Sequence, residues 1–511
     1  MSDWTSGYVA DIGYTFGYYQ ELNPLSLKLA FLNAGLVCPE FGTACELGFG
    51  QGLSVNLHAA ASVTSWHGTD FNPAQAGFAQ ELASISSASA HLYDEAFDEF
   101  CNRKDLPDFD YIGLHGIWSW ISDENRSVIV EFIRKKLKVG GVVYISYNTL
   151  PGWGSFAPMR HLMTEHAEVI GADGAGIVNR INGALEFSEK LLATNPLFAR
   201  ANPLVADRVT KMKDHSRHYL AHEYFNRDWH PMHFASMAKW MSQAKLSYAC
   251  SATYLDHVEF LNHTDEQQSF LNEIQDPMFK QTVRDFMVNQ QFRKDYWVKG
   301  VRKMSALDQA ESLRTHRVVL TTPHSDIAMK VKGNIGEANL NESVYTPIIR
   351  ALSDNKPHTL QQLEKDVIGQ GVTFIQLMQA LMVLSGMGNL NSAQSDAIVL
   401  KAKKSTDSIN KHLLLRARSS NDVSYLASPV TGGGIPVGRF QQLFLLSINQ
   451  GYKKPEEWAQ FVWNIVDAQG QKLLKNGQPI ESSEENLSAI LEQANVFAQK
   501  QLPMLRELMV V

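Results

Sequence analysis

Five short strand-like runs within residues 43–146 constrain this chain more than any other feature. Residues 43–47, 65–69, 89–93, 109–114 and 142–146 have the length and side chains of strands. Helical patterns lie between them at 53–61, 73–82 and 122–136. Pro73 after Asn72 is a helix-start signal. Ser122 is placed to cap the third helix, with Asp123 and Glu124 in its first turn. Arg134, Lys135 and Lys136 at its end complement the helix dipole. Strands alternating with helices of this length form a parallel sheet with right-handed crossovers. The expected class is therefore α/β, a doubly wound, mostly parallel sheet.

The pattern changes after Pro151. Residues 155–228 read as successive helices, and a helix at 231–245 and a strand at 246–252 resume the sheet. The helical stretch is then an insertion, placed where it walls the ligand crevice at the carboxyl ends of the strands. Residues 270–300 read as helical. Strand-like runs at 317–322 and 327–331 precede Gly333, Asn334 and Gly336, which mark a linker. Helices at 346–352, 360–367 and 374–385, then Gly386-Met387-Gly388 and a polar hairpin, give the order of a winged-helix-like module at 341–400. Residues 401–511 are mostly helical, ending on a helix at 484–500 with Ser483 as its cap and Pro503 beyond it. The expected organisation is an aromatic and helical cap at 1–40, the α/β domain at 41–300, a linker and strand segment at 301–340, then the two C-terminal modules. The length, 511 residues, suits about three domains at roughly 150 residues each.

Composition removes several function classes. Four cysteines without C-x-x-C spacing exclude a disulfide scaffold and a thiolate zinc site, and point to a reducing compartment. The first residues lack the basic and apolar regions of a secretory signal. No apolar run approaches the roughly 18 residues of a membrane span. A cytoplasmic protein is expected. The net charge of −7 gives no general basic field for nucleic acid. Residues 341–400 carry three cationic side chains (Arg350, Lys356, Lys365) against five acids, whereas a DNA reader needs clustered Lys and Arg. His215, His218 and His222 share a helical face with Glu223, but H-E-x-x-H is absent and no metal site is expected. The run 431–436 has glycines but no following Lys-Ser/Thr, so it is a structural loop rather than a P-loop.

The junction of the first strand and first helix reads Glu46-Leu47-Gly48-Phe49-Gly50-Gln51-Gly52. Glycines let the backbone turn sharply and approach a ligand, and the helix start behind them favours an anionic group. The G-x-G-x-G spacing differs from the dinucleotide fingerprint G-x-G-x-x-G. Asp70 ends the second strand, followed by Phe71, and is placed to accept from ribose hydroxyls. Asp94 ends the third, shortly before Phe97, and is placed to accept from an adenine amino group. Each aspartate alone also suits a helix cap; the combination with the glycines is much rarer.

These residues resemble the motifs of class I S-adenosylmethionine-dependent methyltransferases. The resemblance continues through the fourth strand and its exit, Leu114-His115-Gly116-Ile117, and the lead into the fifth, Leu137 to Tyr144. It implies a Rossmann-like sheet and S-adenosylmethionine as cofactor. Tyr147 to Trp153 and Tyr219 to Asn226 are similar to bacterial methyltransferases with a methyltransferase regulatory domain, which would here cover 219–300. Some of these, the rickettsial type, methylate lysines of outer-membrane proteins, so the resemblance implies a protein acceptor.

Methyl transfer from a sulfonium is an in-line displacement, and the protein's task is alignment and a neutral nucleophile. Candidate catalytic groups follow strands four and five: His115, Tyr147 and Asn148. Trp118, Trp120, Trp153 and His222 are candidates for the acceptor wall, an aromatic face being suited to a cation. The aromatic run containing Tyr14 and Tyr19 either folds over the cofactor or packs beneath the sheet edge. A methyltransferase acting on a small molecule or envelope sugar, and a cofactor-sensing regulator without turnover, are the other readings.

Overall fold

The structure is a computed structural model that describes residues 15–172, 174, 176–475 and 477–511. Helix α1 (Pro24–Asn33) precedes an alternating series: β1 (Thr43–Leu47), α2 (Leu53–Ala61), β2 (Ser65–Thr69), α3 (Pro73–Ser86), β3 (Ala90–Tyr93), α4 (Phe97–Cys101), β4 (Phe109–Leu114), α5 (Asp123–Lys136) and β5 (Leu137–Asn148). The Asn72 carboxamide oxygen accepts from the Ala74 N–H, and Ser122 Oγ accepts from the Asn125 N–H, so both caps form as the sequence implies. The first five strands are parallel neighbours in the order β3-β2-β1-β4-β5.

Side chains alternate between the two faces of this sheet. Cys45, Ile112, Val143 and Ile145 pack against α5, while Ala44, Tyr111, Val142 and Tyr144 pack against α1, α2 and α3. Helices thus cover both faces, as a parallel sheet requires. No helix among the described residues is long and apolar enough to cross a membrane.

The insertion follows β5 as α6 (Leu150–Trp153), α7 (Ala157–Val169), α8 (Gly176–Ala193), α9 (Leu197–Ala201), α10 (Leu204–Met212) and α11 (Arg217–Tyr224). It has its own core, with Trp153, Phe156, Met163, Ile181, Val209 and Leu220 buried together. The chain then continues through α12 (Phe234–Gln243), β6 (Leu246–Ser251), α13 (Glu259–Asn262), α14 (Asp265–Glu273), α15 (Pro277–Met287) and β7 (Phe292–Lys299).

Strand β7 corrects the helical reading of 270–300. It inserts between β5 and β6 and pairs antiparallel with both. Its sequence hides its nature, because two of its buried positions are charged. Arg293 and Asp295 are almost wholly buried and bond to each other, Nε to Oδ2 at 2.9 Å. Arg293 also meets Asp285 at 2.6 Å, and the Tyr147 hydroxyl donates to Asp295 at 2.8 Å. Burial of such charges is tolerated because each is paired and hydrogen-bonded.

The C-terminal part differs from its expected outline in two places. The supposed linker at Gly333, Asn334 and Gly336 is a tight antiparallel hairpin of Lys330–Gly333 with Gly336–Asn339. Gly336 has φ +129°, which a side chain would resist. The three helices of 341–400 are present, but the polar hairpin after Gly388 is not. A single strand, Leu390–Ser392, pairs instead with Arg317–Leu320, and a long helix, Asp396–Arg416, starts at once. The final helix begins at Ser483 with Ser482 as its cap, and Pro503 lies in the first turn of a continuing helix rather than past the end.

The C-terminal body docks on α2. Leu53, Leu57, Ala60 and Ala61 share one core with residues of 393–510. Gln394 donates to the Ala61 carbonyl and Thr406 to the Ala60 carbonyl. The 431–436 run forms part of this seam: a Cβ added at Gly433 would lie 2.3 Å from the Tyr18 hydroxyl.

Replacing Asp295 by Ala leaves the buried Arg293 charge with one acid. Urea unfolding of Asp295→Ala is expected to show a loss of about 3–5 kcal/mol. A loss below about 1 kcal/mol would mean that Asp285 alone holds the guanidinium.

Candidate active site

A cavity of about 570 Å³ opens at the carboxyl ends of the parallel strands. It lies where the strand order reverses between β1 and β4, the position at which α/β sheets bind ligands. The turn between β1 and α2 forms one side. Gly48, Gly50 and Gly52 have φ of +71°, +58° and +69°, in the left-handed region that side chains resist. Space is as restrictive as angle. An added Cβ at Gly48 would sit 2.5 Å from Ile117 Cδ1, and one at Gly52 would sit 2.4 Å from Ala79 Cβ.

Two carboxylates face this turn. Asp70 is 7% exposed and is fixed by two backbone donors, the Gly50 N–H at 2.8 Å and the Asn72 N–H at 3.0 Å. Burial pushes its carboxyl up to about 6, partly offset by those donors. Glu46 is 3% exposed, and its Oε2 is buried without a hydrogen-bond partner. Burial, and then the nearby Asp70, push it up to about 8. An orphaned, buried acceptor is costly in an empty cavity and suits one that a donor-bearing ligand fills.

His115 leaves β4 into the cavity. Its Nδ1 shares a 2.8 Å hydrogen bond with the Tyr144 hydroxyl, and its ring stacks on Tyr19 with centroids 3.7 Å apart. Burial pushes the imidazole down to about 4, so it is neutral at physiological pH. Glu21, ion-paired with Lys294, lies close enough to oppose that shift.

The cavity gathers Tyr19, Glu46, Gly48, Gly50, Asp70, Phe71, Phe97, His115, Trp120 and His222 from the residues singled out in the sequence. Others lie elsewhere. Gly52 stands behind the turn as the cap position of α2. Leu114 and Trp118 are core residues, the Trp118 indole donating to the Met232 sulfur. Tyr147 and Asn148 are buried with their polar groups engaged: the Tyr147 hydroxyl bonds Asp295, and the Asn148 carboxamide oxygen accepts from the Trp153 indole. Trp153 packs in the core of the insertion, with the Arg208 guanidinium 4.0 Å from its ring centroid. Asp94 is exposed and does not line the cavity, whereas Glu95, Ala96 and Asp98 do. Tyr14 lies outside the described residues.

The insertion walls the cavity as the sequence implies, but of the residues it supplies sequence reasoning singled out only His222. Glu223 from α11, and Asn226, Arg227 and Asp228 after it, line the same cavity as the glycine turn. The only sequence signal was the adjacency of Glu223 to His222.

A family model described as a predicted methyltransferase regulatory domain matches residues 216–299. The chain is 39% identical over 510 residues to the uncharacterized protein sll1526 of Synechocystis, covering 99% of each. It is 26% identical over 286 residues to an uncharacterized protein of Rickettsia prowazekii, 54% of this chain and 49% of that one. Its fold is similar to that of PKMT2 from Rickettsia typhi, whose structure was solved in complex with AdoHcy. The TM-score is 0.69 at 19% identity, with 95% of this chain and 98% of that chain covered.

The raised Glu46 carboxyl has a consequence for stability. Folded, Glu46 holds its proton up to about pH 8; at its ordinary value it loses it near 4.5. Between these limits the folded chain binds more protons, so stability falls as pH rises. The thermal midpoint of Glu46→Gln is expected to gain on that of the wild type from pH 5 to pH 8. A gap that does not change with pH would refute the raised carboxyl.

Proposed function

Because the chain belongs to one family with the Synechocystis protein and carries a class I methyltransferase fold with a regulatory domain, we propose that it transfers the methyl group of S-adenosylmethionine to a lysine amine of a protein acceptor. The observation that carries this reading is the pair of buried carboxylates at the glycine turn, one of them with an unpartnered oxygen. S-adenosylmethionine offers what those groups need: ribose hydroxyls for Asp70, and an ammonium for the Glu46 side of the turn. Gly48 and Gly50 line the cavity beside these acids and would face its methionine end with bare backbone. Phe71, Phe97 and Ile117 supply apolar surface for the adenine. Glu95 and Asp98, rather than Asp94, are in reach of its amino group. When bound, the cofactor supplies an electrophilic methyl group.

The acceptor class rests on charge. Beyond Glu46 and Asp70, the cavity is lined by Glu95, Asp98, Glu124, Glu223 and Asp228, against Arg227 and no lysine among the described residues. Such a wall attracts a cation and repels phosphates or carboxylates. Trp120 adds an aromatic face suited to an ammonium-bearing chain. Neutral His115, stacked on Tyr19, forms a wall that holds the reacting groups without adding positive charge. Tyr147 and Asn148 support the site from below, their polar atoms being engaged in the β5–β7 network and the insertion.

Calorimetric titration with S-adenosylmethionine is expected to show one site per chain. Asp70→Ala is expected to weaken it at least about tenfold, the equivalent of 1.4 kcal/mol. Incubation with methyl-labelled cofactor and bacterial protein extract should put label on a protein band, recovered as methyl-lysine after hydrolysis. Absence of binding by the intact chain would sink the reading; label only in the small-molecule fraction would sink the lysine acceptor.

A further inference from the structure

We propose that Glu223, on the last helix of the insertion, takes the proton from the acceptor ammonium and so makes the amine nucleophilic. The inference rests on the methyltransferase reading above and deepens it. A lysine ammonium has an ordinary pKa of about 10.4, so at neutral pH it must lose a proton to a neighbouring base before it can attack. On the glycine-turn side no base is left for this, because Glu46, whose Oε2 is unpartnered, is taken by the cofactor's own ammonium in that reading. Asp70 is held by two N–H donors. His115 shares its Nδ1 with Tyr144 and lies against Tyr19.

The other carboxylates are either engaged or open to solvent. Glu95 is ion-paired with Arg103 at 2.5 Å, and Asp228 with Arg227 at 3.1 Å. Asp98 and Glu124 are exposed. Glu223 alone among these lining acids combines partial burial with no hydrogen bond or ion pair to any described residue. Burial pushes its carboxyl up to about 7, where a base accepts and releases a proton most readily near neutrality. The charged and titratable groups that line the cavity with it come from several elements. His222 is its neighbour on α11, Glu124 comes from α5 and Asp98 from α4. Arg227 and Asp228 follow in the loop, and Tyr219 lies on its flank with Arg208 of α10 beyond.

The step balances simply. An N–H bond of the ammonium breaks and an O–H bond forms on Glu223, leaving the electron pair on nitrogen. That pair forms the N–C bond as the methyl carbon leaves sulfur, which keeps the electrons of the broken bond. Glu223 then returns its proton to solvent.

The test uses the full chain as wild type, Glu223→Gln and Glu223→Asp, with methyl-labelled S-adenosylmethionine and bacterial protein extract as acceptor. Calorimetry with S-adenosylmethionine alone comes first. Glu223→Gln is expected to bind within about twofold of the wild type, which shows an intact fold. Its initial labelling rate at pH 7 should drop about 100-fold. The loss should shrink as pH approaches the amine's own pKa, and Glu223→Asp should recover part of the rate. A carboxyl-carbon NMR titration of glutamate-labelled protein should lose one resonance, with a midpoint near pH 7, in Glu223→Gln. The proposal is overturned if Glu223→Gln labels at the wild-type rate across pH, if its loss is the same at every pH, or if no such resonance disappears. Failure of the wild type itself to bind the cofactor would instead overturn the methyltransferase reading beneath it.

Discussion

The turn between β1 and α2 admits no side chain at its glycines, and much of the molecule depends on that restriction. With φ near +60° to +70° at Gly48, Gly50 and Gly52, the chain reverses from the sheet into α2 within a few residues. Close contact at Gly48 with Ile117 brings the exit of β4 against the turn, and close contact at Gly52 with Ala79 seats α3. The Gly50 N–H then fixes Asp70, and burial, with Asp70 beside it, raises Glu46. A cavity with two buried acids on one side follows from the backbone path alone.

Helix α2 carries that constraint outward. All nine of its residues are buried, because it belongs to two cores at once. Val55 and Ala59 face the sheet, while Leu53, Leu57, Ala60 and Ala61 face the C-terminal body. The segment before α1 spans the same two regions. Tyr18 meets His58 and the glycine seam of the C-terminal body; Tyr19 stacks on His115 in the cavity; Glu21 pairs with Lys294 of β7. Neighbouring residues of one short segment thus touch the C-terminal body, the cavity and the antiparallel part of the sheet. Rigid packing of this kind links the distant modules to the geometry of the site.

The alternating half of the fold was legible because local signals and burial agree there. Caps at Asn72 and Ser122, apolar runs of strand length and the glycine turn all point one way. Strand β7 was not legible, because Arg293 and Asp295 stand where apolar residues would have shown the period, and only their mutual pairing permits burial. The hairpin at Gly333 and Gly336 read as a linker because its strands are short and mostly exposed. The Leu390 strand read as half of a hairpin because its partner lies some 70 residues earlier.

Within the site, the sequence by itself determined the glycine turn and the acids at the ends of β1 and β2, since chain proximity and strand ends dictate their meeting. It also supplied His115 and the helical insertion as a separate feature. Tertiary structure decided the rest. Tyr147 and Asn148 end a strand and Trp153 follows it, yet contacts with β7 and the insertion engage their polar groups and rings outside the cavity. Asp94 yields to Glu95, the next residue after it beyond β3, and to Asp98 on α4, because the cavity rim is set by how that loop and helix pack. Glu223 stands more than 170 residues from the glycine turn, and only the packing of the insertion over the sheet brings both to one cavity. Periodicity and turn chemistry are local properties of a sequence, whereas a shared cavity wall is a property of packing between elements far apart in it.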